Sequence, residues 1–320
     1  MYLVTGCAGF IGSHLTEKLL EQGHYVIGID CLTDYYKRNI KENNMKNFIG
    51  HKNFVFVRKH IEDLTSKDIL FNNLKGTKAI FHLAAQAGVR GSWGDDFSYY
   101  TIHTFEATQR LLEVARKLNI DKFVYASSSS VYGDIGTYPT KEGSGELWPV
   151  SPYGVTKLAS EKLCNLYHKA YNLPIINLRY FTVYGPRQRP DMGFMKFLDA
   201  IHNNRTIKIH GDGSATRDFT YVSDVVDATI AAASCKSDFE IINIAGGSRV
   251  NLNEVMDVLR RVTDKEVKTE NILEQLGDVK HTYADIETAR SLLNYNPKVK
   301  LNEGLASQYK WYKDEFLKII

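Results

Sequence analysis

The stretch SPYGVTK, residues 151–157, sets a phenol and an ammonium four residues apart behind Ser-Pro. Ser151 suits an N-cap and Pro152 the first helical position, where its missing N–H is no loss. The pattern predicts a helix over 152–171 with Tyr153 and Lys157 on one face. An ammonium beside a phenol favours the phenolate, drawing a pKa normally about 10 toward the range of a general base. A plain surface pair has the same spacing, so the meaning of this one depends on its surroundings.

The second group with chemistry in its spacing is TGCAGFIG, which puts Gly6, Gly9 and Gly12 between a strand pattern and a helix pattern. Glycines there let the backbone turn tightly and approach a pyrophosphate seated on the helix N-terminus. The spacing is G-x-x-G-x-x-G rather than G-x-G-x-x-G. Asp30 ends the second strand pattern at the separation where a carboxylate accepts hydrogen bonds from adenosine ribose hydroxyls and repels a 2′-phosphate. The expected cofactor is NAD rather than NADP.

These groups need a frame. Short apolar runs (YLVT from Tyr2, YVIGID to Asp30, FVFV from Phe54, AIFHLAA from Ala79, KFVYASS from Lys122, IINLRYF from Ile175) alternate with helical patterns over 12–22, 98–118 and 152–171. Such alternation predicts an α/β fold, a Rossmann-type doubly wound parallel sheet with helices on both faces. After Phe181, loops rich in Gly, Pro, Asn and Arg interrupt shorter helices, which predicts a smaller α/β substrate-binding domain over 181–320 beside a cofactor domain over 1–180. EIINIAG from Glu240 is expected to return to the first sheet, within a return segment of about 218–246.

The 320 residues are 43% hydrophobic and 24% charged, with a formal net charge of +3. This composition excludes disorder and a membrane bundle and does not argue for nucleic acid. Cys7, Cys31, Cys164 and Cys235 show no C-x-x-C pairing and read as core thiols of a cytoplasmic protein. No apolar run approaches the roughly 18 residues of a membrane span. Ten histidines are scattered without a metal-ligand spacing, so no metal is expected.

Taken in order, the glycine turn, Asp30, HLAA at 82–85, SSSSVYG at 127–133 and Tyr153-x-x-x-Lys157 resemble the extended short-chain dehydrogenase/reductases, the nucleotide-sugar epimerases and dehydratases. The resemblance spans essentially the whole chain. It implies Ser128 as the third catalytic member with Tyr153 and Lys157, its neighbouring serines leaving the assignment open by one position. It implies cofactor contacts from Gly6, Gly9, Phe10, Ile11, Gly12, Asp30, Asp63, Leu83, Ala84, Ala85, Tyr153 and Lys157. A closer likeness, through AAQAGVR at 84–90, FTVYGPRQRPDM at 181–192 and GDVKHTYAD at 277–285, is to the UDP-glucuronate 4-epimerases. It implies a UDP-sugar held by Arg90, Ser128, Ser129, Thr182, Arg189, Arg217 and Asp278, with Arg187 in reserve for Arg189. Gln275 stands where galactose-type epimerases usually carry another arginine.

The implied reaction has Tyr153 take the 4-hydroxyl proton while NAD oxidises C4, then reverses the step on the opposite face of a 4-keto sugar, inverting C4 without net oxidation. Lys157 holds the phenolate and the nicotinamide ribose; Ser128 holds the sugar oxygen. Dehydratases carry an Asp-Glu pair where this chain has Ser129 and Ser130, and decarboxylases a glutamate at Ser130; serine does neither job at neutral pH. A 4-keto glucuronate is a β-keto acid, so its carboxylate wants a fixed cation, for which a guanidinium is suited. The expected activity is conversion of UDP-glucuronate to UDP-galacturonate, for polysaccharide biosynthesis, in a homodimer. The alternatives are a UDP-glucose/galactose 4-epimerase and a non-catalytic NAD sensor.

Overall fold

The structure is a computed structural model that describes residues 1–65, 69–273 and 279–320. Among them, seven strands form the main sheet: β1 (Tyr2–Thr5), β2 (Val26–Asp30), β3 (Phe54–Arg58), β4 (Ala79–His82), β5 (Lys122–Ser128), β6 (Ile175–Tyr180) and β7 (Phe239–Ile244). Their order is β7-β6-β5-β4-β1-β2-β3, all parallel. The expected return strand is therefore present, at the edge beside β6. Strand order reverses between β1 and β4, and in such sheets the crevice beyond the carboxyl ends at that point receives the ligand.

The alternation of side chains along each strand feeds two cores. Val4, Val26, Phe81 and Val124 face α1 (Phe10–Glu21) and its packing partner further along the chain. Leu3, Ile27, Ile80 and Phe123 face α2 (Ala107–Ala115) and α3 (Pro152–Tyr171). Helices on both faces explain why β4 and β6 are buried along their whole length, Asn177 and Arg179 of β6 included. β4 stops at His82, earlier than the apolar run predicts.

A third core lies under α4 (Gly193–His202), α6 (Leu252–Thr263) and α7 (Leu301–Asp314), around Phe194, Leu198, Ile207, Leu259 and Tyr312. The chain between them gives α5 (Val222–Ala232), which packs on α1, and β7.

The 152–171 helix forms with the predicted bounds. Ser151 Oγ accepts from Gly154 N at 3.1 Å, and Asn172 ends the helix in the left-handed region at φ 53°. The 12–22 helix starts earlier, at Phe10, because Gly9 already takes the extended N-cap conformation. The 98–118 helix is not continuous. It is a short helix over Phe97–Tyr100, a π-turn over Thr101–Glu106, then α2. Thr104 Oγ1 accepts from Gln86 N, and Thr108 Oγ1 meets His82 Nε2 while donating to Thr104 O. Tyr100 Oη donates to the carbonyls of Ala87 and Gly88. Side chains tied to the segment after β4 compete with the regular helix ladder, and a single inserted residue leaves no mark on an apolar pattern read at threes and fours.

Candidate active site

The glycine turn after β1 is tightly packed against its own backbone and the segment after β4. Gly6 has φ +72°, and a Cβ there would sit 2.9 Å from Ala84 N; a Cβ at Gly12 would lie 2.0 Å from Gly6 O. Gly9 N donates to Gly6 O at 3.0 Å, and no side chain caps the start of α1, so the first-turn N–H groups by Phe10 and Ile11 remain available to an anion. Asp30 is pinned above this turn: Oδ2 accepts from Ala8 N at 3.1 Å and Oδ1 from Leu32 N at 2.8 Å. Each oxygen keeps a further lone pair for a hydroxyl donor. Leu83 N and Ala84 N donate to Thr5, to its carbonyl and hydroxyl respectively, while Ala85 is half-buried. Asp63 is exposed on the turn after β3, next to buried Leu64.

Ser128, Tyr153 and Arg189 line one cavity of about 1110 Å³, which Arg90, Ser129, Thr182 and Arg217 also line. Ser128 ends β5 and Tyr153 opens α3; what brings them together is Gly154. A Cβ on Gly154 would stand 2.6 Å from Ser130 O, so only a bare Cα lets the helix start meet the serine loop. Ser128 Oγ donates to Ser130 Oγ and accepts from Ser130 N, both at 3.1 Å.

The electrostatics differ from the sequence expectation. Burial pushes the Tyr153 phenol above its ordinary pKa; the hydrogen bond with Ser128 and the charge of Arg189 oppose that rise without overcoming it. Lys157 Nζ donates to Ala126 O at 2.8 Å and stands 6.0 Å from the centre of the Tyr153 ring, nearer to Tyr125 at 5.1 Å. Burial lowers Lys157 to about 8, with Glu161, one turn on, opposing the fall. The expected lowering of the phenol by its ammonium neighbour is thus outweighed, because both groups are desolvated and the lysine is spent on a carbonyl. Behind Lys157, Glu161 forms a two-bond pair with Arg179 (2.9 and 2.7 Å) and accepts from Ser127 Oγ, all buried.

Arg189 is engaged by Asp191, and burial, which works against its charge, is outweighed by that carboxylate. Asp191 lines the same cavity and also accepts from Tyr35 Oη at 3.2 Å, joining the loop after β2 to the segment before α4. Arg187, the reserve, has φ +64° and turns to α1: Nη2 lies 2.7 Å from Glu17 Oε2. Arg217 Nη1 donates to the carbonyls of Thr216 and Lys280. Arg90 is exposed, and Thr182 is half-buried with its carbonyl accepting from Thr220 N. Asp278 and Gln275 lie outside the described residues.

Sequence reasoning passed over Asp191, Tyr35 and Tyr100. Asp191 stands two residues from Arg189 in RPDM, and that proximity of opposite charges was the available signal. Tyr35 and Tyr100 carry none.

A model of the NAD dependent epimerase/dehydratase family matches residues 2–245. A UDP-glucuronate 4-epimerase of Thermodesulfobacterium geofontis (strain OPF15) is 38% identical over 314 residues, 98% of this chain and 96% of that protein. A Bacillus subtilis (strain 168) protein named as an uncharacterized UDP-glucose epimerase, YtcB, is 43% identical over 96% of both chains. Among solved structures, UDP-glucuronic acid 4-epimerase from Bacillus cereus, in complex with UDP-glucuronic acid and NAD, superposes with a TM-score of 0.91, 40% identity and 98% coverage of each chain.

Proposed function

The chain belongs to the NAD dependent epimerase/dehydratase family, and from that premise we propose that it inverts C4 of UDP-glucuronate to give UDP-galacturonate. The observation that carries the choice of an acidic sugar is Arg189. Its guanidinium lines the cavity of Ser128 and Tyr153 and its charge acts on the phenol itself.

The residues present fit NAD. Bare glycine backbone at the turn, an uncapped α1 N-terminus and the fixed Asp30 carboxylate match a diphosphate followed by a ribose. Gly6, Gly9, Gly12, Phe10 and Ile11 hold the diphosphate, Asp30 the ribose, and Asp63 with Leu83, Ala84 and Ala85 the remainder. Held there, NAD would supply reversible hydride acceptance for C4.

The chain's own groups handle the proton and the charge. Tyr153 removes the proton from the 4-hydroxyl and later restores it. Ser128, which lines the same cavity as Tyr153, holds the same oxygen as it becomes a carbonyl. Lys157, tied to Ala126 O and poised near 8, steadies the phenolate and the nicotinamide ribose. Arg189 with Thr182 holds the sugar carboxylate against loss of carbon dioxide, and Ser129 the sugar. Arg90, Arg217 and Asp278 serve the sugar and nucleotide ends. The division into a cofactor domain over 1–180, with the return segment 218–246, and a sugar-nucleotide domain over 181–320 follows the same assignment.

A second reading, a neutral-sugar 4-epimerase acting on UDP-glucose, is favoured by Asp191, which already neutralises Arg189. The test is incubation of the purified protein with UDP-glucuronate or UDP-glucose, without added cofactor, followed by proton NMR. Epimer from the acidic sugar is expected; epimer from the neutral sugar alone would install the second reading, and a pentose with carbon dioxide would replace both.

A cytoplasmic homodimer serving polysaccharide biosynthesis completes the reading. Unpaired Cys7, Cys31, Cys164 and Cys235 suit a reducing compartment. Tyr99, Ile102 and Phe105 remain exposed on one helical segment, Val155 and Leu166 on α3, an apolar surface of the kind a two-fold interface covers. Among the described residues, no helix is long and apolar enough to cross a membrane.

A further inference from the structure

We propose that His60, Glu62 and His103 form a binding site for a divalent transition-metal ion of the zinc class. His60 and Glu62 stand on the turn after β3, His103 in the π-turn before α2. Their ligand atoms all lie within 4.8 Å of one another. None of the three lines the cavity of Ser128 and Tyr153.

The arrangement is near that of a bound metal. Glu62 Oε1 lies 3.1 Å from His60 Nδ1 and 2.7 Å from His103 Nδ1. Around a tetrahedral zinc with bonds of about 2.0 Å, ligand atoms stand about 3.3 Å apart. Small side-chain rotations would open both pairs onto a common ion. The rings are held for it: His60 and His103 stack with centroids 5.4 Å apart, and Tyr99 stacks on His103 at 6.1 Å. Glu62 and His103 are largely buried, while the side chain of His60 is 45% exposed and leaves a way in. Two imidazoles and a carboxylate suit zinc, nickel or copper; magnesium and calcium prefer an all-oxygen shell.

Without metal, both imidazoles converge on one carboxylate. Burial alone would raise Glu62, but the hydrogen bond with His103 and the nearby histidines hold it below the usual carboxylate range. A cation would take the place of the Nδ1 protons, so its binding competes with protons for the same ligand atoms. It would also tie the turn bearing Asp63 to the segment whose Tyr100 braces the carbonyls of Ala87 and Gly88. Residues 60, 62 and 103 have no metal-ligand spacing in sequence, which is why the chain read as metal-free.

The test is calorimetric titration of the chelator-treated protein, with its NAD retained, by zinc chloride at pH 7.5, with magnesium chloride as control. Expected is one equivalent of zinc per chain, no magnesium binding, and affinity at least about tenfold weaker in His103→Gln and in Glu62→Gln. Cys31, half-buried beside Asp30 at the end of β2, is the competing thiol ligand; Cys31→Ser should bind zinc as the wild type does. Cobalt(II) added to the wild-type protein gives a reading that needs no variant to fold: imidazole and carboxylate ligation without a thiolate charge-transfer band. Absence of saturable zinc binding, equal binding in both ligand variants, or a thiolate band would overturn the proposal.

Discussion

Arg189 and Asp191 close a two-bond fork on each other, Nε to Oδ1 and Nη2 to Oδ2, each at 2.9 Å. The pair lies in the cavity shared with Tyr153. A guanidinium can meet a carboxylate in this way once per edge, so Asp191 takes the Nε edge and its negative charge opposes a sugar carboxylate approaching the remaining edge.

Asp191→Asn should therefore raise kcat/KM for UDP-glucuronate relative to UDP-glucose by about tenfold, the scale of a charge-assisted hydrogen bond. Arg189→Ala should move the ratio the other way and let pentose appear among the products. Equal changes for both sugars in both variants would assign Arg189 to the phosphates.

Gly12→Ala should leave the protein with little bound NAD. The new Cβ would meet the backbone oxygen of Gly6 at 2.0 Å, which no rotamer can relieve, so α1 or the glycine turn must shift. Overpacking of this kind costs about 1–3 kcal/mol of stability. NAD released on denaturation, quantified per chain, checks the first effect, and urea unfolding the second.

Glu161→Gln should cost about 3–5 kcal/mol, because it strands the buried Arg179 guanidinium without its counter-charge. It should also depress Lys157 further, since Glu161 is the main influence holding that ammonium up. Urea midpoints read the stability, and the alkaline limb of the unfolding profile reads the lysine.

Lys157 should contribute a gain in the stability of the NAD-free protein as pH rises from about 8 toward 10.5, set against the loss that buried tyrosines with raised pKa bring near pH 10. Lys157 is lowered from 10.5 to about 8 in the fold, so across that window the unfolded chain binds the extra proton. The gain is on the order of 3 kcal/mol at 1.36 kcal/mol per unit. It should vanish in Lys157→Met, whose stability advantage at pH 7 narrows over the same range. A wild-type profile that runs parallel to the variant's from pH 8 to 10.5 would refute a buried lysine of this kind.

Much of the fold and part of the site are legible in the chain because their signals are local. Ser151 and Pro152 open a helix by capping chemistry and apolar spacing carries it to 171, while seven apolar runs separated by helical patterns are enough for a parallel sheet. Gly6, Gly9, Gly12 and Asp30 sit at fixed offsets from β1 and β2, so their meeting over one turn needs no distant partner. The tertiary structure decided the balance of charge. Whether Tyr153 is lowered by Lys157 or raised by burial depends on what surrounds both and on Ala126 O, 31 residues from the lysine. Arg189 is held by its neighbour Asp191, but also through Tyr35, 156 residues from Asp191. His60, Glu62 and His103 meet only because β3 and the π-turn share one end of the sheet. Periodicity records which face a residue takes, whereas desolvation and pairing depend on atoms that folding brings from elsewhere.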